Sequence, residues 1–342
     1  MFSIIIPVHN VEEYIEQCIS SIMDQSYQDF EVILVINAST DSSYAICKKW
    51  EYADNRIRVF NTDIAGVSHA RNMGIENCNG EWIVFVDSDD YLLKNALQIL
   101  KDKIDENIDI VIANYTQINK AIKLSDREGI VRAEKCLLAL LDSPNYFKNI
   151  EHCLTYNADI LGVNWAKIFK RDVIIKNKIR FNEKITIFED FLFNYDFLLK
   201  SKMVKCVDTP IYYYRVTQNS LSRTLSKDRI LKRIDFINVI LDKESDKLLM
   251  DVLEFNIMQN ILRLIVAMGR KINDYKEVSE IILEFLKQER VKNIILKART
   301  YNLSNGRYQN IVYICILKCL KREWYLPAFC IGAIYEKIKN KD

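Results

Sequence analysis

The sequence predicts an α/β fold, with a mostly parallel sheet followed by a region that is helical almost throughout. Three observations predict it. Strands that read apolar along their length, such as Glu31–Ile36 and Trp82–Val86, alternate with helical patterns of roughly 10–15 residues, the signature of a sheet covered on both faces. The 342 residues contain only 8 Gly and 4 Pro, so turns are few and helix is abundant. From about Ser226 onward the spacing is helical.

The elements follow in order. Ser3–Pro7 is a first strand, and Val11–Gln25 has helical spacing through Tyr14, Ile15, Cys18, Ile19 and Ile22. Glu31–Ile36 is a buried strand, and Asp41–Ala53 a helix capped by Asp41. Arg56–Phe60 is a strand, Val67–Asn77 a helix, Trp82–Val86 a strand, Lys94–Glu106 a helix and Asp109–Ala113 a strand. Arg132–Leu141 and Glu189–Lys200 are helices, and Val204–Val207 and Ile211–Arg215 two short strands. Helices are expected over Asp228–Leu241, Ser245–Met268, Asp274–Gln288, Gln309–Leu320 and Ala328–Lys339. A domain boundary is placed near 222, separating residues 1–222 from a helical region, 223–342. Within the first part, residues 1–115 form one half and 116–222 the other.

Several function classes fall away. Hydrophobic residues are 49% and charged residues 27%, which argues against disorder. The 9 Cys form no C-x-x-C pair and only 3 His occur, which argues against a zinc finger or ribbon. Reduced thiols in a cytosol are expected. Neither a G-x-G nor a G-x-x-x-x-G-K run occurs, so the dinucleotide fingerprint and the P-loop are absent. No apolar run reaches the ~18 residues of a spanning helix, and no nucleic-acid partner is expected. The formal charge of +2 hides an asymmetry: residues 257–342 hold 16 basic and 8 acidic residues, leaving 32 basic and 38 acidic elsewhere.

The chemistry concentrates where Trp82–Val86 runs into Asp87-Ser88-Asp89-Asp90. Asp87 and Asp89 project to one side of an extended chain. Carboxylates gathered at the carboxyl end of a strand either form a solvated turn or hold a cation, and an oxygen-only set suits Mg2+ or Mn2+.

Five segments stand in order: Ile6–Asn10 (IPVHN), Ile36–Ser43 (INASTDSS), Gly66–Gly74 (GVSHARNMG), Val86–Tyr91 (VDSDDY) and Phe188–Phe191 (FEDF). Together they resemble the inverting nucleotide-sugar glycosyltransferases of family 2, which have the Rossmann-like GT-A fold. The resemblance is close over residues 1–115, looser to 222, and carries no motif beyond.

The resemblance implies a site residue by residue. Pro7, His9 and Asn10 would lie at the nucleobase and ribose, with Asn10 alternatively capping the next helix. Asn37 stands where the family has the Asp that accepts a bond from uracil, so it either reads uracil with an uncharged oxygen or is a turn residue. Ala38 stands where the family has Gly. Arg71 would contact the nucleotide phosphates, or pair with Asp87 or Asp89. Asp87 and Ser88 would border the ribose, Asp89 with Asp87 would hold the Mn2+ or Mg2+ ion, and Asp90 would support them or cap a helix. Asp190 would be the catalytic base and Glu189 its orienting partner. Arg215 and Ser220 would close over the diphosphate, while Trp82 reads as core and Trp165 either as core or as a face that stacks on an acceptor sugar.

The implied reaction is transfer of one hexose or N-acetylhexosamine from a UDP-sugar to a sugar hydroxyl, in bacterial surface polysaccharide assembly. The Gln-x-x-Arg-Trp motif of processive relatives is absent, which points to single additions. A sugar nucleotidyltransferase would need a Gly-rich basic loop that Val8–Tyr14 lacks, and a non-catalytic sugar-nucleotide module would leave the carboxylates unused. In 309–339, Ile311, Ile314, Cys315, Leu317 and Cys319 or Leu320 offer apolar surface beside Lys318, Lys321 and Arg322. Trp324, Tyr325 and Phe329 follow, and Pro327 separates two helices. That segment either meets an anionic membrane at its cytoplasmic face, where lipid-linked acceptors would lie, or packs as core or as a homo-oligomer interface.

Overall fold

The computed structural model describes residues 1–117, 120–122, 129–141, 161–216, 227–243, 247–267, 275–298 and 307–339. The first strands and helices alternate as β1 (Phe2–Val8), α1 (Ile15–Met23), β2 (Phe30–Asn37), α2 (Ser43–Ala53), β3 (Ile57–Thr62), α3 (Val67–Asn77) and β4 (Trp82–Phe85). Then come β5 (Tyr91–Leu92), α4 (Ala96–Lys101), β6 (Ile110–Gln117), β7 (Lys120–Ile122), β8 (Gly129–Arg132) and α5 (Ala133–Leu141). They are followed by β9 (Lys167–Lys170), α6 (Arg171–Lys176), α7 (Glu189–Lys200) and β10 (Met203–Tyr213).

The sheet order is β3-β2-β1-β4-β9-β6-β10-β5, with β7 on β6 and β8 on β10. Strands β3, β2, β1 and β4 are parallel neighbours, as are β6 and β10. Strand β9 lies antiparallel between β4 and β6, so both parallel groups point the same way. Every residue of β1, β2 and β4 is buried, which is why these strands read apolar along their length. The exceptions are polar and satisfied: Ser3 donates to Glu31 at 2.6 Å, and Glu31 also accepts from Asn79 and Gly80.

The chain order reverses beside β1, between β2 and β4, which opens the crevice where open α/β sheets bind ligands. Pro7 sits at that opening. Strand β1 pairs with β4 only from Phe2 to Ile5, so the missing N–H of Pro7 faces no ladder partner there. Helix α3 lies tight under the crevice: a Cβ on Gly74 would come within 2.3 Å of Ile5 Cγ2.

Some expected elements differ. The Lys94–Glu106 helix shrinks to α4, six residues long, followed by turns closed by Lys103, Ile104 and Ile108 amides. The two strands at 204–215 are one, β10, whose register shifts around Pro210; that bulge gives the sequence its two separate apolar runs. Strand β9 and helix α6 carry no clear pattern in the sequence, because Lys167 and Lys170 interrupt the apolar run Ile168-Phe169.

The chain divides into two compact units. The first carries the sheet. The second holds α8 (Lys227–Leu241), α9 (Lys247–Ala267), α10 (Tyr275–Lys287), α11 (Glu289–Lys297), α12 (Arg307–Leu320) and α13 (Tyr325–Lys339). Pro327 lies in the first turn of α13, where no intrahelical N–H is required of it. Gly332 of α13 faces α9 so closely that a Cβ would lie 2.6 Å from the Ile265 carbonyl. Helix α11 is a further element that the sequence spacing does not separate from its neighbours.

Candidate active site

Two loops at the carboxyl ends of β1 and β2 are laced together. Asn10 Oδ1 accepts the Thr40 amide at 2.8 Å, and the Asn10 amide donates to Ser39 Oγ at 3.2 Å. His9 Nδ1–H donates to the Asn37 carbonyl at 2.6 Å. Asp41 accepts the amide of Ser43, the first residue of α2, and the Glu12 amide, both at 3.0 Å, but the N-cap position itself is Ser42. Asn10 therefore ties loop to loop rather than capping α1, which begins at Ile15. Asn10 and Ala38 both sit in the left-handed region at φ 50°, so the loops are bent where a Cβ is uncomfortable. The buried Asn37 side chain also holds the backbone in place, since its Oδ1 accepts the Gly66 amide at 3.0 Å. Gly66, at φ 144°, starts α3.

The acidic loop after β4 is held from below. Tyr212 OH, fully buried, accepts the Asp87 amide at 3.1 Å and donates to Asp90 Oδ2 at 2.7 Å. Asp90 Oδ1 accepts the Arg215 amide at 2.7 Å. Asp90 is thus a buried brace between the loop and the end of β10, and caps no helix. Burial and the charges of Asp87 and Asp89 push its carboxyl up to about 8. Arg215 Nε donates to the Asp89 carbonyl at 2.7 Å and Nη2 to Gln17 at 2.6 Å, with its guanidinium over Tyr14 and Tyr91. Ser88 is buried, and burial together with Asp87 raises the Asp89 carboxyl above its ordinary value.

Arg71 joins this loop to α7. It is 3% exposed; Nη2 donates to Asp87 Oδ1 at 2.8 Å, and Nη1 to Asp190 Oδ1 at 2.7 Å, with Glu189 at 3.6 Å. Burial opposes its charge, but Asp190, Asp87 and Glu189 outweigh that and raise its pKa. Both terminal nitrogens of Arg71 bond carboxylates, Asp87 among them as the pairing alternative expected. Asp190 Oδ1 also accepts from Asn164 at 2.7 Å. Burial raises Asp190 to about 7; Arg71 lowers it, Glu189 and Asp87 raise it, and Lys167 lowers it. Just before the pair, Phe188 holds φ 63°, which turns the chain sharply into α7.

Residues 3–174 match the family described as Glycosyl transferase family 2. The chain belongs to glycosyl transferase family 2. It is 32% identical over 226 residues to the glycosyltransferase GlyA of Streptococcus pneumoniae, covering 65% of this chain and 31% of that protein. It is 32% identical over 223 residues to the uncharacterized glycosyltransferase EpsJ of Bacillus subtilis, covering 65% and 63%. The match thus spans less than two thirds of the length of both relatives. The glycosyltransferase GlyG of Streptococcus pneumoniae is 29% identical over 287 residues, covering 82% and 89%. The fold is shared with residues 1–349 of TarS from S. aureus, solved with UDP-GlcNAc, at a TM-score of 0.71 and 19% identity over 98% of this chain and 91% of that one.

Within this family 2 domain, Pro7, His9, Asn10, Asn37, Arg71, Asp87, Ser88 and Asp89 come from the carboxyl side of β1, β2 and β4 and from α3. Glu189, Asp190 and Arg215 join them from α7 and the end of β10. Ser220 lies outside the described residues. Sequence reasoning misses Asn164, Lys167, Asn194 and Gln17, and reads Tyr212 as strand packing alone. Asn194 carries a usable signal, since it follows Asp190 by four residues and so shares its helix face. Trp165 is core: it stacks on Tyr212 at 4.9 Å and on Tyr214 at 5.5 Å.

Replacing Arg71 with Met leaves the half-buried Asp87 and Asp190 without their shared cation. We expect a loss of about 3–5 kcal/mol in urea unfolding. A loss under about 1 kcal/mol would show that the two carboxylates do not depend on it.

Proposed function

We propose that this chain is an inverting, non-processive glycosyltransferase that moves a hexose or N-acetylhexosamine from a UDP-sugar to a sugar hydroxyl, in capsule, lipopolysaccharide or exopolysaccharide synthesis. The observation that carries the reading is the Asp87–Arg71–Asp190 bridge. One guanidinium joins the donor-side loop after β4 to the carboxylate proposed as base, so the two halves of a displacement reaction share one anchor.

Asp190 is the proposed base. Arg71 and Asn164 both bond Oδ1, so the second carboxylate oxygen is the one to take the acceptor proton. Attack by the acceptor oxygen from the face opposite the departing diphosphate inverts the anomeric centre. Glu189 lies beside Asp190 on the first turn of α7, near the same guanidinium. The donor half is assigned to Pro7, His9, Asn10, Asn37, Ser88 and Arg215, with Ser220 beyond the described chain. Uridine is favoured because a structure of the same fold carries UDP-GlcNAc.

A divalent Mn2+ or Mg2+ ion fits the donor set. Asp87 and Asp89 supply only oxygens, and burial followed by the charge of Asp87 raises the Asp89 carboxyl above its ordinary value. Among the described residues no group of three or more His, Cys, Asp or Glu side chains could cage a metal. Asp89 and Asp87 would hold the ion. When bound, it supplies positive charge to the leaving diphosphate.

Contact of 309–339 with an anionic membrane, where a lipid-linked acceptor would lie, belongs to the same reading. Among the described residues no helix is long and apolar enough to cross a membrane. Leu317 and Leu320 are buried, and Lys321 Nζ is bonded to the Leu296 carbonyl, so the surface differs from the one expected from spacing. It is formed instead by Leu326, Ile334 and Ile338, 72%, 59% and 60% exposed, with Cys330 exposed between them at four-residue steps. Trp324 is 53% exposed beside them under the Arg322 guanidinium. Ile311 and Cys315 of α12 are exposed too.

Three outcomes are expected. Asp190→Asn keeps donor binding and lowers kcat by ~10²–10⁴, and the wild-type rate falls below pH of about 7, where Asp190 keeps its own proton. A few-fold loss, or a flat profile, rejects the base. Chelation with EDTA abolishes transfer and added Mn2+ or Mg2+ restores it, except in Asp89→Ala; full activity in EDTA removes the ion from the reading. Anionic vesicles bind the protein at low salt, and Leu326→Glu with Arg322→Glu releases it. A folded, active enzyme that stays unbound refutes the membrane contact.

A further inference from the structure

Lys167 is a lysine with no exposed surface, one strand away from the acidic loop and used by no step described above. Its Nζ donates to the Leu161 carbonyl at 3.0 Å, to the Val163 carbonyl and to Asn194 Oδ1 at 3.1 Å. Three oxygens surround a group that has three N–H donors only as an ammonium; a neutral amine would leave one of them unserved. The network continues without a gap. Asn194 Nδ2 lies at 2.6 Å from Asn164 Oδ1, 2.8 Å from the Asp190 carbonyl and 3.0 Å from the Val163 carbonyl. Asn164 Nδ2 then donates to Asp190 Oδ1 at 2.7 Å.

The turn that carries Asn164 needs such a tie. Ala166 sits at φ 55°, in the left-handed region, and the chain turns there from Trp165 into β9. Left alone, a turn with that strain has no reason to keep Asn164 aimed at α7. Lys167 gathers two carbonyls of the turn and the α7 side chain that contacts Asn164, so one cation closes the arrangement.

We propose that Lys167 is a positioning residue for Asp190: it locks the 161–165 turn so that Asn164 occupies one carboxylate oxygen, and its buried charge favours the ionised carboxylate. The proposal rests on the reading of Asp190 as the base. The charged groups acting on Asp190 are Arg71, Glu189, Asp87 and Lys167; those acting on Lys167 are Asp190 and Cys136. Burial draws Lys167 down against the pull of Asp190, and Lys167 in turn lowers Asp190, so each charge favours the other. A core lysine that merely satisfied three carbonyls would stabilise the fold but would not set the pH at which Asp190 works.

The test compares Lys167→Met with Asn164→Ala, using full-length enzyme, saturating donor and a urea melt of each variant. With Lys167→Met, kcat falls on the order of 10²-fold and donor KM stays within about threefold. The acid limb of the rate profile moves up by roughly one pH unit, because loss of a neighbouring cation favours the protonated carboxyl. Asn164→Ala keeps Lys167 in place and removes a donor from Asp190, so its limb also moves up; it carries the test if the methionine variant does not fold. Titration of the Asp190 carboxyl by isotope-edited infrared spectroscopy reads the same shift without turnover. An unmoved limb and carboxyl titration in a folded variant overturn the proposal. Failure of the base reading is seen separately, because Asp190→Asn would then retain activity whatever Lys167 does.

Discussion

The burial of one positive charge organises this active site. Arg71 is nearly inaccessible, and a guanidinium in that position is tolerable only when carboxylates surround it. Asp87 and Asp190 supply that compensation from opposite sides, 16 and 119 residues away in the chain. The constraint is mutual, because each carboxylate is held by the same cation that needs it. The acidic loop after β4 and the first turn of α7 therefore cannot move independently of α3. Gly74 brings α3 against β1, so the guanidinium is referenced to the centre of the sheet.

Around that bridge the backbone is bent where a bend is costly. Asn10, Ala38, Ala166 and Phe188 all carry a Cβ at positive φ, each near one end of a strand or the start of α7. Cross-bonds hold these bends: Asn10 to Thr40, Asn37 to Gly66, and the Asn164–Asn194 pair to Asp190. Side-chain amides make most of these bonds, since an amide offers both donor and acceptor where backbone groups are left without a sheet partner. Asp90 and Tyr212 play the same part for the acidic loop, with a buried carboxyl raised to about 8.

The second unit is built by a different logic. Its helices bury Ile, Leu and Phe side chains among themselves, and Gly332 lets α13 approach α9. Yet α13 leaves Leu326, Cys330, Ile334 and Ile338 exposed at four-residue steps. A helix apolar on two sides has one side left over after packing, which amphipathic spacing alone does not reveal.

The sequence by itself determined the alternation of strands and helices, the acidic turn after β4, the pair Glu189-Asp190, and the family. Those are local properties: a strand apolar throughout must be buried on both faces, and adjacent carboxylates are visible in the order of residues. Tertiary structure alone decided what Arg71 faces, that Asn37 Oδ1 receives Gly66, and that Asp90 braces rather than caps. It also decided the antiparallel β9 and the lysine on it, whose polar residues masked the strand pattern. The physical reason is range. Periodicity and capping act within a turn or a strand, whereas a buried charge or amide also needs partners as far as 119 residues away, and only the assembled sheet brings those partners within hydrogen-bonding distance.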